Sequence, residues 1–299
     1  MPYFGYTGMA RVLFQFRRAL VLALDHDVFN TAKATAYSGM LLAFPAVLVL
    51  TTLLAQIPEG STIVGDVRSS LDQFLPAKSL DLLQDALESR HLYSAQVLLS
   101  ATSLSIFAGL GLLLSLMEGF RRAYQLPRNW GYWQRVWRAL LLFPIVLIPL
   151  WLASLLLVFG QLIESWMVAN SGHELRYIVL FFWRMVRWAL ALTTSVTVLS
   201  ALYHFGTKRR EHWKWVIPGA LAATFVWFPA TLIFGWYVTR VADYSMLYGP
   251  FAAGIATLVW LYLTSFSALV GAELNGVMFR GRQERLSAHC ESASIPSSQ

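Results

Sequence analysis

The stretch ALLLFPIVLIPLWLASLLLVFG, residues 139–160, decides the fold class of this protein. Apart from Ser154 all of its side chains are apolar, and it is long enough to cross the ~30 Å hydrocarbon core of a bilayer as a helix. A transmembrane β-strand would need a segment of about ten residues with alternating polarity. The stretch therefore predicts a membrane-spanning α-helix.

The composition of the whole chain agrees with this local signal. The protein has 299 residues, of which 57% are hydrophobic and 13% charged, and its mean hydropathy is +0.54. Because soluble proteins carry about 25% charged residues, a soluble fold of this size could not cover its surface with so few. Composition thus excludes a soluble enzyme, a coiled coil and a disordered protein. It predicts an all-α fold, a polytopic helical membrane bundle.

Six apolar stretches predict six transmembrane helices within a domain of residues 31–280. They lie at residues 32–56, 95–118, 137–160, 178–204, 215–238 and 248–275. Residues 1–30 form an N-terminal segment, in which 9–24 predict an amphipathic helix at the membrane interface. The outer loop 57–94 predicts two amphipathic helices, which either cap the bundle or bind a partner on that side. Residues 281–299 form a polar tail.

The basic residues orient the predicted bundle. Fifteen of the 23 Lys and Arg residues lie in the N-terminal segment, two inter-helix connections and the C-terminal segment, whereas five lie on the opposite side. By the positive-inside rule, both termini are cytoplasmic. The fifteen are Arg11, Arg17, Arg18, Arg121, Arg122, Arg128, Arg135, Arg138, Lys208, Arg209, Arg210, Lys214, Arg280, Arg282 and Arg285.

Several short motifs follow one another in the order found in a known family. The run AYSGMLLAFP at residues 36–45 resembles the start of the first membrane helix in the YihY/BrkB family of bacterial inner-membrane proteins. LVGAEL at residues 269–274 is similar to the family's LLGAE ending. Further matches are Trp133, Pro144, Pro218-Gly219-Ala220 and Tyr248-Gly249. The family's Asn-x-x-Trp after the second helix is replaced here by residues 120–124, FRRAY.

The resemblance implies a six-helix protein of the bacterial inner membrane that acts in transport or envelope processes. Some members have carried the label ribonuclease BN, but the six histidines here are scattered and form no metal-binding run, as a metal-dependent nuclease would require. We therefore expect no enzymatic activity, no cofactor, no metal and no nucleic-acid partner. The expected partners are membrane lipids, together with an anionic lipid or small-molecule substrate.

Ionisable groups in or near the spans are the candidate functional residues, because charges are costly in a membrane. Lys33, Glu118, His204 and Glu273 fall near the cytoplasmic ends of four different helices. In one interpretation Lys33 snorkels and the two glutamates lie among lipid headgroups, paired with neighbours such as Arg121 or Arg280. In the other, the four groups form an inward-facing cluster that binds a charged headgroup or a coupling ion.

Arg184 and Arg187 form a second candidate pair, three residues apart and hence on one helical face. If the fourth span begins near Ile178, Arg187 lies roughly 14 Å inside it at ~1.5 Å per residue. If it begins near Trp188, both arginines lie at the outer interface. An interior pair favours an anionic substrate, since guanidinium groups bind phosphate and carboxylate through two donors.

Three classes of function are candidates. Transport of an amphipathic anion is favoured over a non-transporting envelope scaffold, and a membrane-embedded enzyme is the least favoured of the three. A water-accessible Arg184 and Arg187 pair would favour transport, whereas a dry centre packed on glycines would favour the scaffold.

Overall fold

The computed structural model describes residues 8–54, 95–127, 131–149, 176–207, 212–240 and 251–294. Within these residues the backbone forms seven helices and no strand, so the predicted all-helical fold is confirmed for this part of the chain. The helices are α1 (Gly8–Asp25), α2 (Val28–Leu54), α3 (Ala95–Ala123), α4 (132–149), α5 (Arg176–Gly206), α6 (Trp213–Arg240) and α7 (Ala252–Ser294).

Five of these helices are long and apolar enough to cross a membrane. They contain the candidate spans Val28–Val49, Leu98–Ala123, Phe181–Gly206, Trp213–Val238 and Gly254–Glu284. Each overlaps a stretch predicted from the sequence. The predicted third span lies partly outside the described residues, and the predicted loop 57–94 lies outside them entirely. The polar tail begins as helix, since α7 continues through residue 294.

The ends of α6 carry the aromatic residues that favour membrane interfaces. Trp213 and Trp215 are exposed near its start, and Trp236 and Tyr237 are exposed near its end. Trp215 and Trp236 are separated by a helical rise of roughly 32 Å, which matches the hydrocarbon thickness of a bilayer. Tryptophan and tyrosine prefer this depth because their rings are apolar while their polar atoms remain hydrated.

Many large apolar side chains are exposed, and small residues form many of the helix contacts. Phe107, Phe225 and Phe251 are each more than 70% exposed, whereas Ala220, Ala223 and many other alanines are buried. This is the pattern expected in lipid, where apolar side chains gain nothing by leaving the tails and small residues let helices approach closely.

The chain divides into two compact units. The first consists of Met1–His26, Gly119–Phe225 and Ala268–Gln299, and the second of Asp27–Glu118 and Val226–Ser267. Within the second unit, the Trp227 indole N–H donates to Thr264 Oγ1 at 3.1 Å, which links the far part of α6 to α7. The first unit contains the polar site described below.

The amphipathic helix predicted over residues 9–24 forms as α1. Its Phe16 and Ala19 side packs against Leu274 and Val277 of α7, with Ala19 fully buried. This side of the helix is therefore a protein contact, because Ala19 is small enough for the two helices to approach closely. The apolar residues exposed on the other side of α1 are Phe14, Leu20, Val21 and Leu24.

A candidate polar site on the last helix

Close backbone contacts hold the later part of α7, from Ala268 onward, within the first unit. A Cβ atom added to Gly271 would collide with the carbonyl oxygen of Gly219 in α6 and lie 2.6 Å from the Tyr203 hydroxyl of α5. A Cβ atom added to Gly276 would collide with the carbonyl oxygen of Ala123 at the end of α3. Only glycine permits these approaches, which bring the backbones of α3 and α6 against α7.

Asn275 joins α7 to α6 at a proline. Its Oδ1 accepts from the backbone N–H of Gly219 at 2.8 Å, and its Nδ2 donates to the Val216 carbonyl at 3.0 Å. These two backbone groups flank Pro218, which has no N–H of its own to donate. The buried Asn275 amide thus uses both its donor and its acceptor on the neighbouring helix.

Tyr203 joins α5 to the same part of α7. Its hydroxyl donates to the Ala268 carbonyl at 2.6 Å, and its ring meets Phe120 edge to face with the centroids 5.1 Å apart. Tyr203 and Phe120 are both fully buried. Together with Asn275, this contact fixes the position of the α7 segment that carries Glu273.

Glu273 is the charged centre of the site. Its side chain is fully buried, and its Oε1 lies within hydrogen-bond distance of His26 Nδ1, at 2.8 Å and across 247 residues of sequence. Its Oε2 is buried and has no hydrogen-bond partner among the described residues. A buried carboxylate with one unsatisfied oxygen is costly in a poorly hydrated environment, so its presence needs a functional or structural reason.

Gln125 contacts His26 from the end of α3. Its Nε2 lies 3.2 Å from His26 Nε2, on the more exposed side of the imidazole. The backbone ends the helix with a Schellman motif, in which Gln125 N–H donates to Arg122 and Leu126 N–H donates to Arg121. Gln125 occupies the left-handed position of this motif, with φ of 53°. Glycine is the usual residue there.

Arg280 extends the site by two turns of α7. Its Nη1 donates to the Ala123 carbonyl at 2.8 Å, so it binds one of the last carbonyls of α3. Its Nη2 is buried without a hydrogen-bond partner among the described residues. The negative charges of Glu273 and Glu284 attract the Arg280 guanidinium, and the positive charge of Arg18 repels it. The cluster therefore combines a carboxylate, an imidazole and a guanidinium group.

The six residues singled out from the sequence are divided between the two units, with Arg184, Arg187, His204 and Glu273 in the first and Lys33 and Glu118 in the second. Glu273 and His204 lie in the first unit, but the partly buried His204 ring stacks on Trp213 with the centroids 4.7 Å apart. Lys33 and Glu118 lie in the second unit, where Lys33 is exposed and donates to Asn30 Oδ1 at 3.4 Å. Glu118 is partly buried.

The arginine pair lies in α5. Arg187 is partly buried, six residues inside the candidate span that begins at Phe181. At ~1.5 Å per residue this places its Cα roughly 9 Å from the start of the span. The side chain of Arg184 lies outside the described part of the structure.

Three residues of the site were missed by the sequence argument. Asn275 is a polar residue in an apolar stretch, so the reasoning that selected Glu273 could also have selected it. His26 follows the amphipathic helix directly but was treated as one of six scattered histidines. The sequence signal for Gln125 was weaker. Pro127 indicates that a helix ends nearby, but it does not indicate that the Gln125 side chain contributes to a site.

Within the described ranges, no group of three or more His, Cys, Asp and Glu residues is placed to hold a metal ion. What the cluster can do chemically follows from its own groups. The carboxylate and imidazole can hold a proton, and the guanidinium can attract an anion.

The chain is similar to a known protein family and to several bacterial proteins. The family model described as Virulence factor BrkB matches residues 20–296. The ribonuclease-like protein YfkH of Bacillus subtilis (strain 168) is 23% identical over 259 residues, which are 86% of this chain and 92% of that protein. No solved structure matches this chain.

Two relatives are named UPF0761 membrane proteins. The one from Chromohalobacter salexigens is 27% identical over 267 residues, which are 88% of this chain and 63% of that protein. The one from Vibrio atlanticus (strain LGP32) is 25% identical over 278 residues, which are 91% of this chain and 84% of that protein.

Proposed function

Since this chain belongs to the virulence factor BrkB family and is an integral membrane protein, we propose that it binds an amphipathic anion and moves it across or within the bilayer. The proposed location is the bacterial inner membrane, with six spans and both termini in the cytoplasm. The proposed partners are membrane lipids and an anionic lipid or small-molecule substrate. In this proposal the protein has no enzymatic activity.

The fully buried Glu273 is the observation that carries the proposal. It lies inside the candidate span Gly254–Glu284, which is the most buried of the five, and one of its oxygens has no hydrogen-bond partner among the described residues. A hydrophobic side chain would fill the same space without the cost of burying a charge. Ionisable groups retained at such positions in membrane proteins commonly belong to substrate or ion pathways.

Two arginines supply the attraction for an anion. Arg187 is partly buried within the span of α5, and Arg280 has one buried guanidinium nitrogen without a partner among the described residues. Both belong to the first unit. A guanidinium group offers several donors in one plane, which suits the oxygens of a phosphate or carboxylate.

The alternative proposal is a scaffold that moves nothing. The close contacts of Gly271 with Gly219 and of Gly276 with Ala123 support it, because such packing is dry and resists opening. In this case the hydrogen bonds of Asn275, Tyr203 and Glu273 serve only to position α7.

A lipid-movement assay separates the two proposals. The full chain would be reconstituted into vesicles of phosphatidylethanolamine and phosphatidylglycerol that contain fluorescent phosphatidylglycerol, and dithionite would bleach the probe accessible from outside. If the protein moves the anionic lipid, bleaching should proceed beyond the outer leaflet. Arg187→Ala should reduce the rate about tenfold or more, and Arg187→Lys should recover part of it, because lysine keeps the charge without the planar donor pair.

Arg17→Ala is the matched control, since Arg17 is an exposed arginine on α1. It should leave the rate unchanged. Protein-containing vesicles that bleach no further than protein-free vesicles would contradict movement of this lipid and favour the scaffold. Equal rates for wild type and Arg187→Ala would remove Arg187 from the path.

A further inference from the structure

The two ring nitrogens of His26 have different kinds of partner. Nδ1 lies 2.8 Å from Glu273 Oε1, and because an ionised carboxylate can only accept, Nδ1 carries a hydrogen and donates when Glu273 is ionised. Nε2 faces the side-chain amide of Gln125. An amide, unlike a carboxylate, has a donor at one end and an acceptor at the other.

Gln125 can therefore satisfy His26 in both of its protonation states. When His26 is neutral, with its hydrogen on Nδ1, the Gln125 NH₂ group donates to Nε2. When His26 is an imidazolium, Nε2 carries a second hydrogen, and a half-turn of the Gln125 amide presents Oε1 to accept it. In both protonation states Nε2 of His26 has a hydrogen-bond partner in Gln125. Neither state therefore carries the desolvation cost of a buried polar group that lacks a partner.

The backbone of Gln125 adopts an energetically unfavourable conformation at this position. Its φ of 53° is the left-handed conformation that glycine adopts without penalty and that costs other residues about 1 kcal/mol or more. Non-glycine residues held in sparsely populated backbone conformations cluster at functional sites.

We propose that His26, Glu273 and Gln125 form a proton-binding site that takes up one proton at His26 Nε2. In the unloaded state a neutral His26 donates to an anionic Glu273, and the pair carries a charge of −1. Uptake of one proton from water gives an imidazolium beside the carboxylate, and the pair becomes neutral. The Nδ1 hydrogen stays between His26 and Glu273 throughout. The exposed part of His26, 16% of its side chain, provides access for the proton, whereas Glu273 has none.

The charged and titratable groups around the pair come from each neighbouring element. From α7, the positive charge of Arg280 attracts the Glu273 carboxylate, and the negative charge of Glu284 attracts Arg280. From α1, the positive charge of Arg18 repels Arg280. From α5, the Tyr203 hydroxyl is committed to the Ala268 carbonyl, and α6 meets this part of α7 through Gly219 and Val216. The end of α3 adds Arg121, whose Nη1 donates to the Leu126 carbonyl.

The role of His26 can be measured directly by nitrogen NMR. The full chain would be labelled with ¹⁵N-histidine, placed in nanodiscs of phosphatidylethanolamine and phosphatidylglycerol, and titrated between about pH 5 and pH 8. The His26 signal is the one that disappears in His26→Gln, while His204→Gln is the matched control and should remove a different signal. In wild type the His26 signal should pass from a neutral ring with hydrogen on Nδ1 to an imidazolium.

Gln125→Gly is the decisive variant, because it removes the amide while giving the left-handed position its favoured residue. The protein should remain folded, and the midpoint of the His26 titration should fall by on the order of half a pH unit, because the bond lost from the imidazolium is charge-assisted and stronger than the bond lost from the neutral ring. Glu273→Gln should lower the midpoint further by removing the anion.

Two results would overturn the proposal. One is a His26 signal that stays in a single protonation state across the range. The other is a Gln125→Gly protein whose His26 midpoint equals that of wild type. The proposal depends on the geometry of the pair and does not depend on movement of an anion, so the lipid-movement assay and this titration can fail independently.

Discussion

At the scale of single residues, Asn275 shows how one amide stabilises a helix pair that has little apolar driving force. Asn275→Ala should lower the free energy of unfolding by about 1–3 kcal/mol, because it leaves the Gly219 N–H and the Val216 carbonyl without their partner. The measurement is the apparent melting temperature of detergent-solubilised protein, read from aggregation or intrinsic fluorescence.

The control for this substitution is Asn30→Ala. Asn30 is an exposed asparagine in α2 whose amide bonds the nearby side chains of Asp27 and Lys33, so its loss should change the melting temperature little. An Asn275→Ala protein as stable as Asn30→Ala would show that the buried amide contributes nothing net to the packing of α6 on α7.

The sequence predicts the presence of a charge at residue 273 but not its partner. The Glu273 carboxylate stands out because it interrupts an apolar run, which is a local signal. Its contact with His26 spans 247 residues and depends on how α1 packs on α7, which no local pattern encodes. The conformation of Gln125 is equally hidden, because glycine is absent from that helix end and the tertiary contact with His26 compensates for the strain.

At the scale of elements, α7 is the helix against which the first unit packs, and two of its glycines test how close that packing is. Gly276→Ala should destabilise the protein by about 1–3 kcal/mol or prevent its accumulation, because the new methyl group would meet the backbone carbonyl of Ala123, which cannot rotate away. The readouts are the yield of monodisperse protein in membranes and its melting temperature.

Gly281→Ala is a matched control on the same helix. Apart from the backbone of its own helix, a Cβ atom there would meet no heavy atom of the described residues within 4 Å, so alanine should be neutral or stabilise the helix by up to about 1 kcal/mol. If both alanine variants were equally stable, the close approach of α3 and α7 would not be a constraint on the fold.

The sequence predicts the helices better than their ends and faces. The predicted spans overlap α2, α3 and α5 to α7, because hydropathy over some 20 residues is an additive signal. The extension of α7 to Ser294 runs through polar residues, where hydropathy carries no information but helix propensity does. The apolar pattern of α1 does not indicate which of its faces packs on protein, since protein and lipid both select apolar side chains.

At the scale of the whole molecule, topology depends on the number of crossings. With the five candidate spans alone, the termini would lie on opposite sides of the membrane. Lys208, Arg209 and Arg210 would then be separated from the basic connection after α3 and would lie outside. The positive-inside rule opposes this arrangement and favours a sixth crossing, which residues 137–160 would supply.

Reporter fusions decide between the two topologies, and the fusion after Ser171 is the most informative. Alkaline phosphatase is active only outside the cytoplasm, so fusions after Ser94, Ser171 and Asp243 should be active and those after Arg128, Arg210 and Gln299 inactive. Green fluorescent protein at the same six positions should give the reverse pattern. The reason is charge: moving the connection at 208–214 outward would carry four basic residues across the membrane. An inactive phosphatase after Ser171, together with an active one after Arg210, would show that residues 137–160 do not cross, and the six-span arrangement would be wrong.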